Sequence, residues 1–233
     1  MKHFLNILLT KLSSLLPDKT IQRSKAEWNR LADENHKYYI VSKRGRQIDD
    51  EEFRATGEEN YHEIVLNDDV LMSRLAPLSD KHVLDIGCGA GRLTEFFARD
   101  FARAEGVDIS ENMVEKARTR LGHISNVHFT ATNGTHYPFP DDSFDLVFSY
   151  IVFQHMPSES VIRENLREVK RVLKKNGIAK IQFRGGHTVR KGTWFYGPTF
   201  TKERTQKLLD DVGLKAIDMG DDSVKRFWLW LTK

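Results

Sequence analysis

Apolar residues along this chain follow two alternating rhythms. Short runs rich in Val, Ile, Leu and Phe occupy His82–Ile86, Ala104–Asp108, Val127–Thr130, Phe144–Tyr150 and Ile178–Arg184, as strands buried on both faces do. Between them, Gly91–Phe101, Ser110–Leu121 and Ser158–Leu173 repeat apolar side chains at helical spacing. Strands alternating with helices predict an α/β fold with a parallel sheet covered on both faces. Any ligand then lies outside the carboxyl ends of the strands. Asn176-Gly177 reads as the stop of the third helix, with Arg171, Lys174 and Lys175 complementing its dipole. Lys202–Val212 reads as a last helix. Leu214–Met219 and Lys225–Leu231, parted by a turn at Asp221-Asp222, read as an antiparallel closing pair.

The chain ahead of this core divides in two. Residues 1–22 carry Leu5, Leu8, Leu9, Leu12, Leu15 and Leu16 at helical steps and stop at Pro17, an amphipathic helix. Such a helix docks on the domain, self-associates, or lies on a membrane surface as a peripheral contact. Residues 23–80 are polar and read as a helical cap on the substrate side, with Glu63–Leu75 a helix beside the sheet. Residues 81–233 form the core.

Charge changes this picture little. The 36 basic and 33 acidic residues among 233 are interspersed and leave a formal net charge of +3, too mild to argue for nucleic acid. No stretch approaches the ~20 apolar residues of a membrane span. The lone cysteine, Cys88, excludes a disulfide framework and points to a reducing, cytoplasmic setting. No metal-ligand spacing is present.

The chemistry concentrates in H-V-L-D-I-G-C-G-A-G-R, from His82 to Arg92. A buried strand ends near an acid, breaks into Gly87, Gly89 and Gly91, then resumes as a helix. That is the geometry that holds a nucleotide-like cofactor against bare backbone. Asp108 follows at the end of the next strand, where an acid about 20 residues past such a turn accepts hydrogen bonds from ribose hydroxyls. Ser110 supplies the cap of the helix behind it.

The ordered set D-I-G-C-G-A-G, G-V-D-I-S, P-F-P-D-D-S-F-D-L-V, F-Q-H-M-P and L-R-E-V-K-R-V-L-K-K-N-G resembles the class I S-adenosylmethionine-dependent methyltransferases, and their small-molecule branch in particular. The resemblance runs from Lys81 to about Phe183. It implies a Rossmann-like, doubly wound sheet of seven mostly parallel strands, with an antiparallel last strand. It implies S-adenosylmethionine as cofactor and S-adenosylhomocysteine as product. Asp85, Gly87, Cys88, Gly89 and Gly91 then line the methionine and ribose portion, Asp108 holds the ribose, and Ile109 packs on the adenine. Asn133 stands where the family usually has Asp facing the adenine amino group, and Gly134 where Ala is commoner. Tyr150 and Gln154 flank the methyl group. In the segment before the first strand, Arg54 meets the methionine carboxylate and Tyr61 lines the pocket.

Methyl transfer asks the protein to align an acceptor, exclude water and, for a hydroxyl, remove a proton. His155 follows the fourth strand and is the candidate base; a helix-entry histidine bonded to backbone is the structural alternative. His187, Trp194 and Tyr196 on the loop after the fifth strand are candidates to seat the acceptor. These features together favour metal-independent O-methylation of a metabolite or biosynthetic intermediate. A degenerate cofactor- or partner-binding module and a nicotinamide-dependent dehydrogenase are the rival readings.

Overall fold

The computed structural model describes residues 19–41, 47–186, 197–221 and 225–233. Seven strands, β1 (His82–Ile86), β2 (Arg103–Asp108), β3 (Val127–Ala131), β4 (Phe144–Ser149), β5 (Leu173–Arg184), β6 (Lys215–Met219) and β7 (Arg226–Thr232), form one sheet in the order β3-β2-β1-β4-β5-β7-β6. The pairings among β1 to β5 are parallel, whereas β7 lies antiparallel between β5 and β6. The expected closing pair is therefore present. A dinucleotide-binding dehydrogenase sheet instead runs six strands in the order 3-2-1-4-5-6.

Alternation along each strand feeds two cores. Leu84, Val147, Ala179, Phe183 and Leu229 point to one face, and Val83, Leu146, Phe148 and Ile178 to the other. The first face is closed by α6 (Glu159–Val172) and α7 (Lys202–Val212). The second is closed by α4 (Thr94–Asp100), α5 (Glu111–Leu121), α3 (Asp69–Leu75) and a π-helical turn at His62–Leu66. The helix expected over Glu63–Leu75 is thus two pieces. Asp68 parts them, accepting from the Leu71 amide at 2.8 Å to start α3.

The third core helix ends earlier than its sequence suggests. The chain leaves α6 at Val172 and enters β5 directly at Leu173, which pairs with Phe144. Asn176-Gly177 lies inside β5, at an irregularity in the β4–β5 register, rather than at a helix stop. Lys174 bonds to Asp145 at 2.7 Å and Arg171 to Glu168 at 2.7 Å, so both serve neighbouring carboxylates. Asp145 also accepts the His82 amide at 2.9 Å, tying the start of β4 to the start of β1.

Ahead of the core stand α1 (Lys19–Val41) and α2 (Asp50–Tyr61). Helix α1 runs across the boundary expected at residue 22 and bends at Asn35 (φ −172°, ψ 81°), whose side chain accepts from the Tyr38 amide at 3.1 Å and restarts the helix. Asn29 docks α1 on the start of α5: its carbonyl oxygen accepts from the Ser110 hydroxyl at 2.7 Å and its amide donates to Glu111 at 3.2 Å. Residues 1–18, the bulk of the leucine-rich segment, lie outside the described residues. Among the described residues no helix is long and apolar enough to cross a membrane.

Candidate functional site

A cavity of about 160 Å³ opens at the carboxyl ends of β1, β2 and β4, under α1. Its floor follows from the turn after β1. Gly87 adopts φ +72°, a left-handed conformation that favours glycine, and a Cβ there would meet Val152 at 2.3 Å. Backbone alone fits. Asp85 is the penultimate residue of β1 and is 4% exposed. Burial pushes its carboxyl up to about 7, against the Thr94 hydroxyl, which donates to it at 2.7 Å, and the Arg92 charge. Burial likewise raises the Cys88 thiol well above its usual value, so it stays protonated in the turn.

Asp108 projects from the end of β2 and accepts the Gly89 amide at 3.0 Å and the Ser110 amide at 2.9 Å. Burial raises its pKa, and those backbone donors oppose the rise. Ser110 caps α5, accepting from the Met113 amide at 3.1 Å. Ile109 and Met113 supply an apolar wall beside Asp108, and Ile21 and Trp28 of α1 roof the cavity. Tyr150 closes the β4 side with its ring stacked on Trp228 (centroids 5.6 Å apart, planes 14° apart).

Asp85, Gly87, Cys88, Gly89, Asp108, Ile109, Gly134, Tyr150 and His155 all meet at this cavity. Five other candidates do not line it. Gly91 is a packing position: a Cβ there would meet Leu121 at 2.7 Å and Phe129 at 3.0 Å, inside the second core. Asn133 spends its side-chain oxygen on the amides of Thr135 and His136 (3.0 and 2.9 Å), an Asx turn at the surface. Arg54 is drawn outward by Glu95 at 2.7 Å and lies over the Phe96 ring. Tyr61 is fully buried against Phe96 and Phe97. Gln154 is buried between His155 and Arg226. His187, Trp194 and Tyr196 lie outside the described residues.

The network through Gln154 decides the state of His155. Arg226 can only donate, so its Nε–H···Oε1 bond at 3.0 Å fixes the amide of Gln154 with its nitrogen toward His155. That nitrogen donates to His155 Nε2 at 2.9 Å. The Nε2 lone pair is therefore engaged, and neutral His155 carries its proton on Nδ1, an atom that is itself buried. The ring packs edge-on against Trp28 at 5.5 Å. The candidate base thus lines the cavity with its Nε2 lone pair bound to Gln154.

Sequence reasoning missed Arg92. It follows the glycine turn, is 6% exposed, and donates to the Thr56 carbonyl at 2.9 Å and to Asn60 at 2.8 Å. A cation set directly after the last glycine of the turn was the available signal.

Residues 83–177 match a family model described as a methyltransferase domain. These residues are a methyltransferase domain, set in the sheet of the class I S-adenosylmethionine-dependent enzymes. The chain is 36% identical over 122 residues to the methyltransferase GfsG of Streptomyces halstedii, covering 49% of this chain and 43% of that protein. It is 30% identical over 159 residues to the O-methyltransferase cnsE of Penicillium expansum, covering 64% and 57% respectively. The chain thus spans about half the length of these curated relatives. In fold it superposes on the magnesium protoporphyrin IX methyltransferase of Synechocystis with bound S-adenosylhomocysteine, with a TM-score of 0.66 at 19% identity over 93% of this chain and all of that one.

Proposed function

We propose that this methyltransferase transfers a methyl group from S-adenosylmethionine to an oxygen atom of a small molecule. The observation that carries the reading is the single cavity that joins Asp85, the Gly87–Gly89 turn and Asp108 at the carboxyl ends of β1 and β2. The donor set fits the cofactor. A carboxylate has about four acceptor sites, so Asp108, with two backbone donors in place, retains capacity for two ribose hydroxyls. Ile109 and Met113 offer an apolar face for the adenine, and Gly87 and Gly89 let the ligand lie on backbone. When bound, the cofactor supplies an activated methyl carbon; the chain's own residues orient the partners and exclude water.

An oxygen acceptor is favoured by relatives named for O-methylation, cnsE among them. With the His155 lone pair engaged by Gln154, the acceptor best suited is one that arrives ionised, such as a carboxylate or an acidic hydroxyl. His155 and Trp28 then act as walls that keep water from the methyl group.

Isothermal titration with S-adenosylmethionine and S-adenosylhomocysteine, with NADH as control, tests this reading. Saturable binding of the first two, lost in Asp108→Ala and absent for NADH, supports it. No binding of either would overturn it and leave a fold used for partner binding.

A further inference from the structure

A second cavity, of about 250 Å³, opens beside the first, and Ile40, Arg92, Tyr150 and Ile151 form the wall they share. Its inner side is cationic. Arg92 is buried, its Nη1 donates to the Thr56 carbonyl and to Asn60 Oδ1, and its Nε has no partner among the described residues. Thr56 and Asn60 are neutral, and among the described residues Arg92 forms no ion pair. Arginine keeps its charge even where burial pulls its pKa down, as here. A guanidinium removed from water without a counter-charge is costly, and the cost is relieved when a ligand brings an anion to it.

A second arginine faces the same space. Arg226, at the start of β7, is half-buried and spends its Nε on Gln154, and among the described residues its terminal nitrogens have no hydrogen-bond partner. Glu59 and Glu63 also border this cavity, but both are exposed on α2 and the π-helical turn, where water screens them. The field inside is set by the buried charge. Tyr150 lines both cavities, so a molecule anchored at the arginines reaches the methyl site past its ring.

We propose that this second cavity seats an anionic group of the methyl acceptor, a carboxylate or a phosphate, between Arg92 and Arg226, which makes it the specificity site of the enzyme. The guanidinium fork pairs with two oxygens of such a group at once, a match that a neutral amide or alcohol does not offer. Thr56 and Asn60 hold the fork in place, so the acceptor is recognised by the cap and the sheet together.

The inference rests on the methyltransferase reading, and the experiment separates the two. S-adenosylhomocysteine is titrated first: saturable binding leaves the cofactor reading standing and loads the protein for the second step. The loaded protein is then titrated with benzoate against benzamide, and with phenyl phosphate against benzyl alcohol. The expected result is that one anion binds at least tenfold tighter than its neutral counterpart, the pair that discriminates showing which oxyanion is preferred. Arg226→Gln and Arg92→Gln are expected to cut that preference below about threefold, with melting temperatures confirming that both fold. Arg226 lies on a half-exposed strand end, so it tests the site even if Arg92→Gln destabilises the cap. Equal binding of anions and neutral probes by the loaded wild-type protein overturns the proposal. So does a tenfold loss of S-adenosylhomocysteine affinity in Arg92→Gln with 5′-deoxy-5′-methylthioadenosine unaffected, because that pattern assigns Arg92 to the cofactor's own carboxylate.

Discussion

The Gly89 amide donates to Asp108 at 3.0 Å, so the turn after β1 and the end of β2 are one hydrogen-bonded unit. The acid that faces the cavity also holds the turn that floors it. Asp108→Asn keeps one acceptor oxygen and is expected to weaken S-adenosylhomocysteine binding about tenfold. Asp108→Ala removes both oxygens and frees the turn, with a loss of about a hundredfold. Calorimetric titration of the three proteins gives the order directly. Wild-type affinity in the alanine variant would take Asp108 out of the site.

Asp85 makes stability depend on pH. Its carboxyl has an ordinary value of 3.8 and is raised by burial to about 7 in the fold. Between those values the native state keeps a proton that the unfolded chain has released, so stability falls as pH rises through the window and stays lowered above it. Asp85→Asn retains an acceptor for Thr94 and has no charge to bury. It is expected to melt higher than wild type at about pH 8, with the gap shrinking toward about pH 3, where the native and unfolded wild-type carboxyls are both largely protonated. A gap that does not change with pH would place the titration elsewhere.

Because Gln154 holds the His155 lone pair, His155→Phe is expected to lower turnover by no more than about tenfold and to leave the pH profile of kcat unchanged. Removing a true general base costs about a hundredfold to ten-thousandfold. A loss of that size, with an ionisation near the histidine range gone from the profile, would assign His155 the role of base. The acceptor for this assay is whichever oxyanion the loaded enzyme selects.

Lys180 and Asp68 form a buried ion pair that fastens the cap to the sheet: the Lys180 ammonium also donates to the Ile64 carbonyl at 2.6 Å and lies 4.5 Å from the centre of the Trp228 ring, while the Trp230 indole donates to Asp68 at 2.9 Å. Asp68→Ala strands a buried cation and is expected to destabilise the protein by about 3–5 kcal/mol. Replacing both partners, as Asp68→Leu with Lys180→Met, is expected to recover most of that. Denaturant unfolding of the two variants checks it; equal losses would mean that packing, and not the unpaired charge, sets the cost.

The strands and the glycine turn were legible because their signals are local. A run such as Val83–Ile86 followed by Gly87 needs no distant partner to be read, and the spacing to Asp108 reflects one helix crossover. What escaped depends on contacts far along the chain. Arg92 became a buried cation because Thr56 and Asn60, from a helix much earlier in sequence, meet it there. Arg54 was turned away from the cavity by Glu95. Asn176-Gly177 carries the composition of a helix end, yet Leu173 had already been taken into the sheet by Phe144. Asn133 was expected to face the adenine, and the amides of Thr135 and His136, two and three residues on, occupy its side-chain oxygen.

The place of β7 bears on how the chain is made. Strand β6 pairs with β7, and β7 fills the gap beside β5. As the polypeptide leaves the ribosome, β6 emerges first but has no sheet edge to join until Arg226–Thr232 follow. The edge of β5, with Ile181 and Phe183 on one side of it, stays open from the synthesis of Arg184 until that of Arg226–Thr232. The nascent domain is thus exposed to strand-pairing partners until its last strand arrives, and a late stop codon would remove two strands rather than one.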